Sequence, residues 1–311
     1  MIEILIPTYN RSKLLKKNIL LLDKQISKNK LSNYFRILVS DNRSEDDTWD
    51  NLKALESQIN CELDLYRQEE NIGLEPNAIF LLGKAKQDYV MYLGDDDYLP
   101  DGYLDFVVDV IKNESAYCVI PGFSSLYPDG TIKPSRNAPF DIKRFEPGFS
   151  SVCEISNFGH QLSGIVTRKK FLYDEYMYNS ENRNIYPFIF FVTYCALKGA
   201  TYYAPKFQVL VSQGNSKDWN YDASGLLLDI FRNYKIAFSD DKEKLGDACI
   251  SFVKAQPGRL RIGRNPFNSL KALVHLVRSS EVDRRLKIRL LALWPKVYLI
   301  EGLRSLKRKL V

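Results

Sequence analysis

The sequence predicts an α/β fold in which a mainly parallel sheet is flanked by helices and followed by a helical, basic C-terminal region. Short apolar runs alternate with helix-patterned segments over residues 1–120, which is the βαβα order of parallel sheets. These runs lack strict polar alternation, as expected of strands covered on both faces. We therefore predict an α/β domain over residues 1–225 and a helical region over 226–311.

The elements of the first 120 residues follow from runs rich in Ile, Leu, Val and Tyr and from apolar spacing near 3.6 residues. The predicted strands are IEILIPTYN, FRILVSDN, LDLYRQ, YVMYLG and AYCVIPG. The predicted helices cover about residues 12–27, 48–59 and 76–86 and begin again near 101.

The rest of the chain is less regular at first. Pro, Gly and aromatic residues from 121 to 149 predict loops and edge strands. A strand near 162–171, a helix at about 186–198 and a strand at 201–212 follow, and the chain then reads as helical from 226. Pro295 favours the first turn of a last helix over the interior of a long one.

Composition narrows the class of protein. The chain of 311 residues is 45% hydrophobic, which suffices for a substantial core. Five widely spaced cysteines predict reduced thiols, and neither a signal peptide nor a membrane-spanning run is expected, so we predict a cytoplasmic protein. Two histidines without an HExxH motif argue against a zinc hydrolase.

The charge is distributed unevenly. Residues 254–311 hold fifteen Lys or Arg and three acidic residues, a balance of +12, so the preceding body carries −6 of the net +6. Without a recognised nucleic-acid module, this tail favours an anionic membrane surface over nucleic acid. The alternative is packing on the domain or on another subunit through an apolar stripe of Leu286, Leu290, Leu293, Val297 and Ile300.

Polar residues collect directly after the predicted strands. The segments are PTYNR at 7–11, SDNRS at 40–44, EENIG at 69–73 and GDDDY at 94–98. Ligands of such sheets bind outside the carboxyl ends of the strands, where these loops meet. We therefore expect Asp41 to lie near the acidic triplet in space.

The triplet of Asp95, Asp96 and Asp97 favours a cation, because three adjacent carboxylates otherwise repel one another. In an extended chain, Asp95 and Asp97 would point one way and Asp96 the other. Oxygen ligands suit Mg²⁺ or Mn²⁺, which commonly also bind substrate phosphates, so a diphosphate substrate is expected. Each motif alone also fits an ordinary turn or helix cap; their joint placement at one sheet edge favours a site.

Four of these segments together resemble the nucleotide-sugar domain of family 2 glycosyltransferases, which are inverting enzymes of the GT-A type. They are ILIPTYNR, LVSDNRSEDDT, NIGLEPN and YVMYLGDDDYLPDG, and they span about the first 110 residues in order and spacing. The LGDDD form is similar to members that build bacterial O-antigens and capsules, including abequosyltransferase-like enzymes. The resemblance implies a nucleotide-binding half at 1–120, an acceptor half at 121–225 and a nucleotide-sugar donor, a UDP-sugar first among them.

The resemblance also implies residue roles. Asp41 falls where a carboxylate reads the base or ribose, Asp95 near the ribose, and Asp96 at the metal with Asp97 beside it. The family's DxD begins one residue earlier, at the place of Gly94. The remaining positions that match the donor-binding motifs are Pro7, Thr8, Tyr9, Arg11, Asn71 and Gly73.

The family's catalytic Glu-Asp pair is missing. Counting back from Gly199 reaches Pro187 and Phe188 instead. Candidates for the general base that removes the acceptor proton are Asp174, Glu175 and His160.

Three other functions compete. A haloacid-dehalogenase-like phosphatase also places DxD after an apolar strand, but near the N-terminus. A calcium-binding loop of the EF-hand type would need an oxygen ligand and a glycine where Leu99 and Pro100 stand. A non-catalytic nucleotide-sugar or carbohydrate-binding protein would explain the missing Glu-Asp pair.

Overall fold

The computed structural model describes residues 1–134, 141–214, 226–257 and 266–310. Within these ranges the strands are β1 (Ile2–Thr8), β2 (Phe35–Asp41), β3 (Leu63–Arg67), β4 (Tyr89–Tyr92), β5 (Cys118–Leu126), β6 (Ile132–Pro134), β7 (Lys143–Phe145), β8 (Val166–Arg168) and β9 (Thr201–Ser212). The helices are α1 (Ser12–Lys28), α2 (Thr48–Leu55), α3 (Leu74–Lys84), α4 (Tyr103–Glu114), α5 (Phe149–Ile155), α6 (Leu172–Tyr178), α7 (Pro187–Lys198), α8 (Leu226–Phe238), α9 (Lys242–Ala255), α10 (Pro266–Arg278) and α11 (Arg284–Leu310). Single 3₁₀ turns cover Ser156–His160 and Ser180–Asn182.

The strands form one mixed sheet in the order β3-β2-β1-β4-β8-β5-β9-β7, with β6 beside β5. The first four strands pair in parallel, as predicted, and β5 pairs in parallel with β9. Strand β8 lies antiparallel between β4 and β5, a position that the sequence pattern does not indicate. The predicted α/β class, with a mixed, mainly parallel sheet, is confirmed.

The sheet is covered by amphipathic helices whose apolar faces enter its core. Strand β1 is buried along its whole length, which explains why its sequence shows no polar alternation. Helix α1 buries Leu15, Ile19, Leu22 and Ile26 at helical spacing against this core. Helix α3 begins at Leu74, two residues before the predicted start, because Gly73 adopts a φ of 88° and Pro76 fits the first helical turn.

The chain divides into two compact units. One comprises Met1–Gly148, Gln161–Tyr178 and Tyr194–Lys217 and holds the sheet; the other comprises Phe149–His160, Asn179–Thr193 and Asp218–Val311. The predicted boundary at residue 225 lies outside the described residues. In the second unit, α8 packs on α9, and α9 packs on α11.

The prediction that Pro295 lies in the first turn of the last helix is wrong. Helix α11 runs through Pro295 instead of starting there. Proline leaves the carbonyl of Leu291 without its helical donor, and both residues are exposed, so water can hydrate that carbonyl. Among the described residues, every helix is too short or too polar to cross a bilayer.

The apolar stripe predicted on the last helix is largely buried within the protein. Leu286, Leu290 and Val297 are buried and Leu293 is half-buried, while the side chain of Ile300 lies outside the described part of the chain. Packing on the protein itself, the alternative to membrane contact, therefore accounts for this stripe.

Candidate active site

The acidic triplet and the end of β1 meet through a side-chain hydrogen bond. The Thr8 hydroxyl donates to Asp95 Oδ2 over 2.8 Å. Thr8 pairs with Asp41 at the ends of β1 and β2, and β1 also pairs with β4, which leads into the triplet. The sheet thus brings Asp41 and the triplet to one edge, as the strand-end rule predicts.

The surroundings of Asp95 favour its protonated form. Its pKa is raised from 3.8 to about 7, first because burial removes water from the carboxylate and next because Asp96 lies beside it. The Thr8 hydroxyl and the Arg11 charge oppose this rise. A cation bound beside Asp95, Asp96 and Asp97 would oppose this rise and favour the ionised carboxylates.

Asp97 does not share the direction of Asp95, contrary to the extended-chain prediction. The chain turns here, with the Asp97 amide donating to the Gly94 carbonyl over 3.2 Å. The carboxylate of Asp97 accepts from the backbone N–H of Ser212 over 2.9 Å and from the Ser163 hydroxyl. Both of its oxygens are thus engaged on the β8 and β9 side of β4, whereas Asp95 faces β1. The prediction that Asp97 binds metal stays a prediction.

Gly94 is fitted under the carboxylate of Asp97. A Cβ at this position would lie 2.8 Å from Asp97 Oδ2 and 3.2 Å from Ser163 Oγ. The buried amide of Asn18 donates to the carbonyls of Gly94 and Asp97 over 2.8 and 2.7 Å. Close packing of this turn explains why the position that begins the family's DxD holds glycine here.

Asp96 is nearly inaccessible, with 4% of its surface exposed. Its backbone carbonyl accepts from the Ser212 hydroxyl. Burial is the main cause that raises the pKa of Asp95 and of Tyr98, and the negative charge of Asp96 is the next. Among the described residues, no three His, Cys, Asp or Glu side chains group as metal ligands. Carboxylate oxygens concentrated at one turn nevertheless fit a hard cation that also takes oxygens from a substrate.

Asp41 is fully buried and only partly satisfied. Its Oδ1 accepts from the Ser44 amide over 3.0 Å. Its Oδ2 lies 3.3 Å from Arg67 Nε but forms no hydrogen bond with the protein. Arg67 also donates to the Ser44 carbonyl over 3.1 Å, so it spans the β2–α2 loop. A buried carboxylate oxygen without a hydrogen bond is suited to accept one from a bound ligand.

The loop after β1 is held by the loop after β2. Asn10 adopts a φ of 52°, and its amide donates to Ser44 Oγ over 2.8 Å. The Arg11 amide donates to Thr48 Oγ1 over 3.0 Å. These bonds leave the Tyr9 ring 38% exposed beside the strand ends, while Pro7 is buried within β1.

Asn71 and Gly73 belong to a second fixed loop at the same edge. Asn42 donates to Asn71 Oδ1 over 2.8 Å and accepts from the Ile72 amide over 2.9 Å. Both Asn71 and Gly73 are exposed. Asn42, which follows β2, therefore fixes the loop that precedes α3.

Asp174 and Glu175 are placed at the opposite end of the sheet. Strand β8 is antiparallel to β4, with Arg168 opposite Tyr89, so α6 begins beyond the amino end of β4. Tyr173 of α6 contacts Gly83 in the last turn of α3, which supports this placement. Both acidic side chains are exposed. The structure does not bring them to the edge that holds Thr8 and Asp95.

His160 lies in the second unit, at the end of a 3₁₀ turn. Its Nδ1 is 2.7 Å from the Asn157 carbonyl, and the Gln256 amide is 3.4 Å from the same nitrogen. Hydrogen bonding of Nδ1–H to a carbonyl favours the tautomer whose basic nitrogen is Nε2.

Sequence reasoning missed four residues of the site. Arg67 ends β3, so the strand-end rule that selects Asp41 would also have selected Arg67. Asn18 is a buried asparagine on the inner face of an amphipathic helix, and a polar residue at such a position is a signal in the sequence. Ser163 and Ser212 carry no such signal, because only the tertiary fold brings them to Asp97.

Comparison with known proteins identifies the family. No curated protein sequence matches the chain. The family model described as "Glycosyl transferase family 2" matches residues 3–172, which is more than half of the chain. The chain belongs to glycosyl transferase family 2. The protein is thus a glycosyltransferase whose donor is a nucleotide sugar, and the phosphatase alternative is excluded.

Solved structures support the fold of this glycosyltransferase. TarS 1–349 from S. aureus in complex with UDP-GlcNAc superposes with a TM-score of 0.69 at 14% identity, covering 97% of this chain and 87% of that one. The mannosyltransferase PcManGT from Pyrobaculum calidifontis, in complex with GDP-Man and Mn²⁺, gives a TM-score of 0.58 at 14% identity, covering 98% and 82%. These superpositions confirm the GT-A-like fold with C-terminal helices.

Proposed function

We propose that this glycosyltransferase moves a sugar from a UDP-sugar to a glycan or lipid-linked acceptor during synthesis of a bacterial surface polysaccharide. The transfer inverts the anomeric configuration and depends on Mn²⁺ or Mg²⁺. The observation that carries the proposal is the Thr8–Asp95 hydrogen bond beside the buried, partly satisfied Asp41. The O-antigen or capsule setting rests on the likeness of the LGDDD segment to abequosyltransferase-like enzymes.

The nucleoside is assigned to the loops after β1 and β2. Asp41 Oδ2 would accept a hydrogen bond from the base or the ribose. Buried acceptors normally have a hydrogen-bond donor, and this oxygen has none in the protein. The exposed ring of Tyr9 would stack on the base, and Asp95, held by Thr8, would meet the ribose. Arg11 would neutralise part of the diphosphate charge. Asn71 and Gly73 would border the donor at the neighbouring loop.

The metal is assigned to Asp96. The accumulation of carboxylates there fits a divalent cation, whose charge would favour departure of the diphosphate when bound. Asp97 would hold the turn that presents Asp96, because its own oxygens accept from Ser163 and Ser212. The protein itself supplies orientation of the donor, and that orientation contributes to the rate.

The candidates for the general base remain Asp174, Glu175 and His160. Asp174 and Glu175 lie beyond the amino end of β4, away from the strand ends that hold Asp95. We expect His160→Gln to lower the rate of transfer to the acceptor while the affinity for the donor stays unchanged. A variant that keeps the full rate of transfer would remove His160 from this role.

A thermal-shift screen tests the donor and the metal. UDP-, CDP-, GDP- and dTDP-sugars are each added with and without Mn²⁺, and we expect a UDP-sugar to raise Tm most when Mn²⁺ is present. Asp96→Ala should abolish the metal-dependent part of that rise, whereas Asp101→Ala, an exposed aspartate of the following turn, should preserve it. No rise with any nucleotide sugar would overturn the proposed donor class.

The acceptor and the stereochemistry need a separate assay. Lipid-linked glycans extracted from bacterial membranes are incubated with the stabilising nucleotide sugar, and the product linkage is determined by NMR. We expect a single new linkage of inverted anomeric configuration. Retention of configuration, or transfer only to water, would contradict this part of the proposal.

A further inference from the structure

Helix α11 has a second apolar face that the described part of the chain leaves exposed. Ile288, Leu291 and Leu299 are 57%, 46% and 66% exposed, and Ala292 and Pro295 between them are exposed as well. At about 100° per residue, these five positions span roughly a 100° sector of the helix. Leu286, Leu290 and Val297, which are buried, occupy the opposite side. The uncovered sector is termed the outer face of α11.

Basic residues accompany the outer face. Arg284 and Lys296 are exposed, Lys287 is half-exposed, and the helix contains no acidic residue between 284 and 299. Arg289 is oriented differently, because it pairs with Asp247 of α9 at 2.6 Å. Helix α10, which contacts α11, exposes Leu270 and Val274 together with Lys271 and Arg278. Apolar residues bordered by Lys and Arg are typical of helices that lie in a membrane interface.

We propose that the outer face of α11 docks on an anionic lipid bilayer, with Ile288, Leu291 and Leu299 inserted at the level of the headgroups. Charge complementarity selects this occupant, because residues 254–311 carry a balance of +12. A second copy of the same face would bring Arg284, Lys287 and Lys296 against their like-charged equivalents. The inserted residues differ from the stripe predicted by sequence, which is largely buried.

The docking does not depend on the proposed donor or acceptor. It requires only the helix and the lipid, so it is measured without nucleotide sugar and its outcome is separate from that of the thermal-shift screen. If both hold, an enzyme held on the bilayer would meet a lipid-linked acceptor in two dimensions instead of three.

Vesicle sedimentation with the full chain tests the proposal. Vesicles of phosphatidylcholine alone are compared with vesicles that also contain phosphatidylglycerol. We expect binding to the anionic vesicles only, and a decrease in that binding as salt concentration rises. The triple variant Ile288→Ser, Leu291→Ser, Leu299→Ser should lose at least about tenfold in binding, since three inserted side chains are shortened and made polar.

Matched variants separate docking from a loss of structure. Leu20→Ser with Leu21→Ser changes two leucines of α1 that are 38% and 39% exposed, and this control should bind vesicles like the wild type. Arg284→Gln with Lys296→Gln should weaken binding at low salt. Circular dichroism should be unchanged in all variants, because every altered side chain is exposed.

Three outcomes would overturn the proposal. They are absence of wild-type binding to anionic vesicles, binding of the triple variant at the level of the α1 control, and a dimer in light scattering that the triple variant converts to a monomer. The last result would assign the outer face to a second copy of the chain.

Discussion

Asp97 accepts a hydrogen bond of 2.9 Å from the backbone N–H of Ser212, although 115 positions separate the two residues. The bond joins the acidic turn after β4 to the end of β9. Together with the Ser163 hydroxyl and the Asn18 amide, it holds the turn from three other segments of the chain. The third aspartate of the triplet therefore acts as a brace for the other two.

Asp97→Asn should lower the free energy of unfolding by about 1–3 kcal/mol, because an amide cannot accept hydrogen bonds at both terminal atoms. Urea denaturation measures the loss. Asp47→Asn, which alters an exposed aspartate without a capping bond, should change stability by less than about 0.5 kcal/mol. Equal losses in the two variants would contradict the bracing role.

Gly94→Ala should also destabilise the protein, by about 1–3 kcal/mol, since the added Cβ would lie 2.8 Å from Asp97 Oδ2 in a closely packed turn. Gly246→Ala is the control: its Cβ would meet only the flexible end of Arg289, at 3.0 Å, inside a helix that alanine favours. Thermal denaturation should show a lower Tm for Gly94→Ala and an unchanged or higher Tm for Gly246→Ala. A neutral Gly94→Ala would refute the close-packing argument.

Thr8→Val should raise KM for the donor by about threefold to tenfold, because Asp95 loses the hydroxyl that orients it. Thr8→Ser keeps the hydroxyl and should stay near the wild-type value. Steady-state kinetics with the stabilising nucleotide sugar distinguishes the two. If valine and serine behave alike, the hydrogen bond does not orient the donor site.

Arg67→Gln should cost about 2–4 kcal/mol of stability, because it leaves the buried carboxylate of Asp41 without its cationic neighbour. Adding Asp41→Asn should restore part of that loss, since no buried charge then remains. A double-mutant cycle in urea measures the coupling. Arg43→Gln, which changes an exposed arginine of the same loop, should have little effect. If the stability losses of the two single variants simply add in the double variant, the two residues are not coupled.

Glu281 should give the protein a pH-dependent contribution to stability. Arg232 bonds both of its oxygens, at 2.9 and 2.6 Å, and lowers its pKa from the ordinary 4.5. A lowered carboxyl pKa stabilises the folded state above pH 4.5, and the benefit disappears as pH falls through the folded-state pKa. Glu281→Gln should therefore lose roughly 0.5–1 kcal/mol at pH 7 and nothing at low pH.

The control for this pair is Glu243→Gln. Glu243 lies 3.4 Å from Arg285, and both side chains are about 70% exposed, so its removal should have no measurable effect at any pH. Chemical denaturation across the pH range compares the two variants. A pH-independent loss in Glu281→Gln would contradict the electrostatic explanation.

The sequence by itself determined the α/β class, the four parallel strands at the start of the sheet and the edge at which the polar residues of the candidate site meet. These features follow from local patterns: unbroken apolar runs, amphipathic helices and polar residues placed directly after strands. Asp41, Thr8 and the triplet were found in this way, because parallel strands bring their carboxyl ends together whatever the rest of the chain does.

Only the tertiary structure decided in which direction each carboxylate points and which apolar faces are buried. Asp97 faces β9 because a turn at Gly94 replaces the assumed extended chain, and its partners lie 66 and 115 positions away. Likewise α11 has apolar residues on two sides, and periodicity alone cannot say which side the protein buries. Such outcomes depend on contacts between segments distant in sequence, about which local patterns hold no information.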